Sequence, residues 1–282
     1  MRKSTLIGRL CMAFVLLGGT ALCVLAVLGI RRIAEEQEKK QIAARRGDVE
    51  ILVLGDSIWD LERGETGIAA FLESELDNVT VYNCAVKGSR AAEDEYGLYA
   101  MAEHIAGKRQ IDFQDDMGAA EILREVDLLN LDYIFIAYGL NDYFGAVKRK
   151  NPDDCYDVTT YEGALCRSIE LLRESCPQAE FVIISPTYCQ GYSYGQVIHE
   201  STTYDYGGGT GVDYAASAKR IAQAYEYPFI DQYEELGLSI HNGAKYLEDA
   251  THLTEKGRKA YAENLAAHLI RQWRESGNAN EE

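Results

Sequence analysis

Four short blocks carry the residue types that covalent catalysis requires. Ser57 stands in Gly55-Asp56-Ser57 after a hydrophobic run, and Gly88 closes Asn83-Cys84-Ala85-Val86-Lys87-Gly88. Asn141 lies in Gly139-Leu140-Asn141-Asp142, and Asp249 precedes His252 by three residues in Asp249-Ala250-Thr251-His252. A serine hydroxyl is a weak nucleophile until a neighbouring base takes its proton. An imidazole does this near neutral pH, and a carboxylate on its second nitrogen sets the tautomer. Amide donors, from a close-approaching glycine backbone or an Asn side chain, stabilise the oxyanion that forms. Nucleophile, base, orienting carboxylate and oxyanion donors together make a parts list for ester hydrolysis.

Each block alone has an ordinary explanation. A lone Gly-Asp-Ser is more often a turn or a helix cap and Gly88 a turn glycine, while Asn141 alone reads equally well as a capping or turn residue. Asp249 and His252 alone read as a surface pair. Among the five histidines, His104 and His268 fall in helical stretches, while His199 and His241 lack an Asp three residues before, which leaves His252 as the base. A buried Asp249 is expected beside it.

The elements that must position these residues follow from periodicity. Residues 49–54, 79–83, 131–138, 181–185 and 228–231 read as strands, the first and third of them buried. Residues 67–76, 91–105, 119–129, 160–175, 212–225 and 254–275 read as helices, with Thr254 as a cap of the last. Alternating strands and helices imply a three-layer α/β fold with a parallel sheet, whose active site lies beyond the carboxyl ends of the strands. Ser57, Gly88 and Asn141 all lie just past strand ends, a placement that chance motifs would not respect.

In order and approximate spacing the four blocks resemble those of the SGNH/GDSL hydrolases, over about residues 49–275. Ile58 stands where leucine is common, and Ala85 where many members carry glycine. The resemblance implies a flavodoxin-like α/β/α fold with no cofactor. It implies Ser57 as nucleophile, His252 as base and Asp249 as its orienter, with the Ser57 N–H, the Gly88 N–H and the Asn141 side chain forming the oxyanion hole.

The rest of the chain narrows the context. The net charge of −17 over 282 residues excludes a nucleic-acid partner, which needs a basic surface. The seven cysteines contain no CxxC pair, so no metal site is expected; one disulfide within residues 155–189 is allowed by their spacing. From Leu10 to Ile30 there is no charged residue, enough to span ~30 Å of hydrocarbon. With Arg2, Lys3 and Arg9 before it, the run reads as an uncleaved signal anchor with the main domain outside. The alternatives are a cleaved signal or a buried helix. The domain reading is a membrane segment at 1–32, a charged linker at 33–48 that can form a helical stalk, a hydrolase domain at 49–275 and a polar tail at 276–282.

Residues 187–214 form an insertion rich in Tyr and Gly, expected as an irregular surface loop whose tyrosines either pack on the domain or stack on sugar rings. The function expected is short-chain, acetyl ester hydrolysis on carbohydrate by a single-pass, membrane-anchored extracellular domain. A glycan O-acyltransferase and a non-catalytic ligand-binding ectodomain are the rival readings.

Overall fold

The computed structural model describes residues 27–114 and 117–279. Two units divide after Arg46. In the first, the described part is a helix over residues 27–46, α1, whose charged face carries Glu35/Lys39 and Glu36/Lys40 at i,i+4 spacing. Among the described residues no helix is long and apolar enough to cross a membrane. Residues 10–26 of the run expected to anchor the protein lie outside the described residues.

The second unit begins with β1 (Val49–Gly55), α2 (Ser57–Asp60), α3 (Ile68–Glu75), β2 (Val79–Asn83), α4 (Leu98–Ile105) and α5 (Ala119–Glu125). It continues with β3 (Tyr133–Ala137), α6 (Leu140–Phe144), α7 (Tyr161–Ser175) and β4 (Glu180–Ile184). A hairpin of β5 (Gln190–Ser193) and β6 (Gln196–Glu200) follows, then α8 (Gly211–Ala224), β7 (Phe229–Ile230), α9 (Gln232–Glu235), α10 (Gly243–Tyr246) and α11 (Glu255–Ala279).

Strands β1, β2, β3, β4 and β7 form one five-stranded sheet in the order β2-β1-β3-β4-β7, and every pairing in it is parallel. The register sets Ile51 beside Tyr133 and Gly55 beside Ala137, so β1 and β3 end side by side. All five residues of β3 are buried, as a central strand covered on both faces requires. Each large apolar side chain so buried contributes about 1.5–3 kcal/mol. Helices α3 and α11 pack on each other, and α4, α7 and α8 form a second group. Buried Trp273 of α11 reaches the sheet by donating its indole N–H to the Tyr133 hydroxyl at 2.9 Å. The expected α/β fold with a parallel sheet is thus present.

Several elements depart from their expected limits. The helix expected from residue 91 begins at Leu98, because the backbone N–H groups of Ala91 and Ala92 donate to the Asp142 carboxylate instead of entering a helix. Helix α5 stops at Glu125; beyond it, Asp127 draws the chain into a turn by accepting from the Leu129 N–H and the Asn130 amide. The closing helix runs past residue 275 to Ala279, with the Thr254 hydroxyl accepting from the Gly257 N–H at its start. The 187–214 insertion contains the antiparallel β5–β6 hairpin, and its Tyr188 and Tyr214 are core residues. The described cysteines are all free thiols, with only Cys155 exposed.

Candidate active site

Where β1 ends, Gly55 lies against the Ala137 carbonyl and the Trp59 ring; a Cβ there would sit 3.3 Å from each. The chain turns at once into α2. Asp56 caps that helix, accepting from the Ile58 N–H at 3.0 Å. Ser57 is its first residue and is buried. Burial pushes the Asp56 carboxyl up to about 7, aided by the nearby charge of Asp142 and opposed by the Ile58 N–H.

His252 meets Ser57 from the far end of the chain. Its Nε2 is 3.0 Å from Ser57 Oγ, and its Nδ1 is 2.7 Å from Asp249 Oδ2. Because the carboxylate accepts the Nδ1–H, Nε2 is left as acceptor for the serine proton. The other carboxylate oxygen accepts the backbone N–H groups of Thr251 at 2.6 Å and His252 at 2.7 Å. Burial raises the Asp249 pKa, but these bonds outweigh it: the His252 side chain first, then the two backbone N–H groups, hold the carboxyl below its usual range. Asp249 is not buried as expected: its side chain is 57 % exposed and that of His252 29 % exposed. A three-residue turn on the surface needs only local backbone bonds to hold its carboxylate, not the walls of a core. The turn is closed by a Leu247–Leu253 bridge and is tied to the hairpin by the Gln190 N–H, which donates to the Ala250 carbonyl at 2.7 Å.

The remaining two blocks meet beside the serine. Gly139 precedes α6 at φ +131; a Cβ would fall 2.9 Å from the Tyr161 hydroxyl, so only glycine fits. The Asn141 amide donates to the Ser89 carbonyl at 2.8 Å, which uses one of its two N–H groups. Gly88 has φ +79, and among the described residues neither its N–H nor that of Ser57 donates to a protein acceptor. At Ser57 this follows from its place in the first helical turn, where amides have no intrahelical partner.

Residues given no role by the sequence reading hold these parts together. Asp142 is fully buried and accepts the Ala91 and Ala92 N–H groups at 2.8 and 3.0 Å, joining the third block to the second. Burial raises its pKa to about 6, against the lowering effect of those two donors and of Arg90. Arg63 donates to Asp60 at 2.6 Å, to the Asn83 carbonyl at 2.7 Å and to the Ala85 carbonyl at 2.6 Å. Asp60 in turn accepts the Lys87 N–H at 2.6 Å, and the Asn83 amide donates to the Trp59 carbonyl at 2.8 Å. The segment around α2 that starts with Ser57 therefore grips the loop that ends in Gly88. The only trace of this in the sequence is an Asp60/Arg63 pair one helical turn beyond the serine. Among the described residues, no group of three or more His, Cys, Asp or Glu comes together as a metal site.

A family model described as GDSL-like Lipase/Acylhydrolase matches residues 53–260. No curated protein matches the chain. Solved structures similar to it include one described as a possible lipase from Chitinophaga pinensis DSM 2588, with 19% identity, TM-score 0.57, and 80% of this chain and 98% of that one covered. Another is a member of the lipolytic protein G-D-S-L family from Veillonella parvula DSM 2008, with 18% identity, TM-score 0.52, and 77% and 95% covered. A third is an acetyl xylan esterase, AlAXEase, with 15% identity, TM-score 0.53, and 78% and 100% covered. At these identities the likeness is one of fold.

Proposed function

The chain belongs to the GDSL-like lipase/acylhydrolase family, and from that membership we propose that it is a serine ester hydrolase that removes short acyl groups, acetyl above all, from carbohydrate. The observation that carries the reading is the unbroken line from Ser57 Oγ through His252 to Asp249, at 3.0 and 2.7 Å. His252 takes the serine proton as the hydroxyl attacks the ester carbonyl, and Asp249 steadies the imidazolium. The unclaimed N–H groups of Ser57 and Gly88, with the second Asn141 N–H, receive the oxyanion. His252 then passes its proton to the leaving alcohol, and water releases the acid from the acyl-enzyme. The exposure of His252 and Asp249 supports hydrolysis over acyl transfer, because water reaches the base directly.

One structural neighbour acts on acetylated xylan, which makes that polymer the first substrate to try. A strongly acidic chain is also poorly matched to an anionic lipid surface. The apolar 10–30 run supports anchoring with the domain outside the cell; full-length protein should then stay with membranes through a high-salt wash, and appearance of a shortened form in the medium would refute the anchor.

The catalytic test is Ser57→Ala. The folded variant should lose hydrolysis of 4-nitrophenyl acetate and labelling by a fluorophosphonate. Wild-type turnover in that variant would end the serine-hydrolase reading. A panel of C2, C4, C8 and C16 esters with acetylated xylan should peak at C2, and an optimum at C8 or longer without acetate release would replace it with a lipase.

A further inference from the structure

An exposed cluster of aromatic rings is shared by α6, which bears Asn141, and the insertion that follows β4. Phe144 follows Asn141 by three residues in α6 and so shares its helix face. Tyr206 packs edge-on against Phe144, with centroids 5.8 Å apart, and Tyr204 packs against Tyr206 at 4.9 Å. Tyr204 in turn lies flat on His199 of β6, at 3.9 Å and 11°. The same hairpin bonds through Gln190 to the Asp249–His252 turn. The rings thus run from the element that bears Asn141 to the hairpin that braces the base. Phe144 is 36% exposed, Tyr204 41% and Tyr206 38%.

The backbone that carries the rings is held by hydrogen bonds and close glycine packing. Asp205, between the two tyrosines, accepts the N–H groups of Gly207 at 2.6 Å and Gly209 at 2.8 Å. Gly207 and Gly209 take φ near +123 and +124, and a Cβ on Gly208 would lie 2.2 Å from the Tyr214 hydroxyl. Tyr204 is further pinned by its carbonyl, which accepts the Tyr143 hydroxyl at 3.0 Å. The imidazole of His199 can lie against β5 only because Gly191 has no side chain: a Cβ there would be 2.2 Å from the ring. A surface of preordered rings binds without the entropy cost of ordering them.

We propose that Phe144, Tyr204 and Tyr206 form a sugar-binding subsite that stacks on an uncharged pyranose of the acylated glycan; the assignment rests on the esterase reading above. Three features choose this occupant. The exposed members are flat rings, two with hydroxyls at their edges, which suits the mixed apolar and polar faces of a sugar better than an alkyl chain. The net charge of −17 disfavours a polyanion or an anionic membrane. The cluster joins the helix that bears Asn141 to the hairpin bonded to the Asp249–His252 turn, which is where a glycan chain with its ester at Ser57 would be held.

The test compares a small ester with an acylated oligosaccharide. Tyr206→Ala and Phe144→Ala should lower kcat/KM on chemically acetylated xylohexaose about tenfold, through KM, while 4-nitrophenyl acetate changes less than about twofold. Tyr206→Phe, which keeps the ring, should retain most of the oligosaccharide rate. In the Ser57→Ala background, unmodified xylohexaose should bind, and Tyr206→Ala should weaken that binding by a similar factor. Equal losses on both substrates would show damage to the catalytic centre and overturn the subsite. So would undiminished xylohexaose binding in the Ser57→Ala/Tyr206→Ala protein, or a loss confined to octanoyl esters, which would make the rings an alkyl site. If wild type hydrolyses neither substrate the esterase reading fails, and the binding measurement still decides the subsite.

Discussion

Arg63→Met separates the catalytic from the merely structural meaning of the grip on the Gly88 loop. Arg63 donates to two carbonyls, of Asn83 and Ala85, whose residues are 5% and 1% exposed. Charged donors on such acceptors contribute about 1.5–3 kcal/mol each. The Arg63 side chain is 27% exposed, so water replaces part of what is lost, and two neighbouring bonds do not add fully. A net loss of about 2–3 kcal/mol follows, or a fall in Tm of roughly 5–10 °C for a unit of this size. The catalytic effect is separate. Deleting an oxyanion donor outright costs about 3–4 kcal/mol; with the Gly88 N–H as the proposed donor, loosening its loop should forfeit about a third of that, close to tenfold in kcat. KM should hold, because the donor acts on charge that exists only in the transition state. The assay is steady-state hydrolysis of 4-nitrophenyl acetate well below the melting range, beside a thermal scan. Arg63→Lys, which keeps the charge but lacks the planar fork that meets Asp60 and both carbonyls at once, should fall between. A variant that melts early but keeps wild-type kcat would refute the argument, leaving Arg63 as a stabilising residue with no part in aiming the amide.

Three further outcomes follow from the same geometry. Asn141→Ala should lower kcat by about 10²–10³ with little change in KM, and a pure KM effect would make Asn141 a substrate-binding group. Gly139→Ala places a Cβ at φ +131 and 2.9 Å from the Tyr161 hydroxyl; it should cost about 1–3 kcal/mol in urea unfolding and lower kcat as Asn141 shifts, and an unchanged midpoint would show that the turn relaxes freely. The folded-state pKa values of Asp56, about 7, and Asp142, about 6, stand above the ordinary 3.8, so the fold holds protons that the unfolded chain has released. Their contribution is complete below the unfolded value and is lost as pH rises to about 7. Asp56→Asn keeps an acceptor for the Ile58 N–H without titrating, so its stability relative to wild type should climb between about pH 4 and pH 7 and level off above. A gap independent of pH would show that Asp56 ionises normally.

The sequence by itself determined the central strands β1, β3 and β4, because each is a short apolar run whose burial is dictated by composition. It also determined the sheet's direction, because helical stretches separate the strands. The blocks could be read for the same reason: a parallel sheet delivers its strand ends to one edge, so Ser57, Gly88 and Asn141 had to gather there. Tertiary structure alone decided what joins them. Asp142 interrupts the helix expected from residue 91 by taking two backbone N–H groups from fifty residues away, and no local pattern announces an acceptor that distant. Arg63 and Asp60 lie three residues apart in the chain, but only the fold brings the Asn83 and Ala85 carbonyls and the Lys87 N–H against them. The exposure of Asp249 was equally hidden, since three local hydrogen bonds hold a carboxylate on a surface turn as firmly as burial would. Tyrosine spacing in 187–214 marked an aromatic insertion, but only packing sent Tyr188 and Tyr214 into the core and left Tyr206 outside against Phe144, with Tyr204 against Tyr206. Periodicity reports which residues leave water; which side chains then meet depends on loops crossing between elements far apart in the chain, where the backbone follows hydrogen-bond partners instead of a repeat.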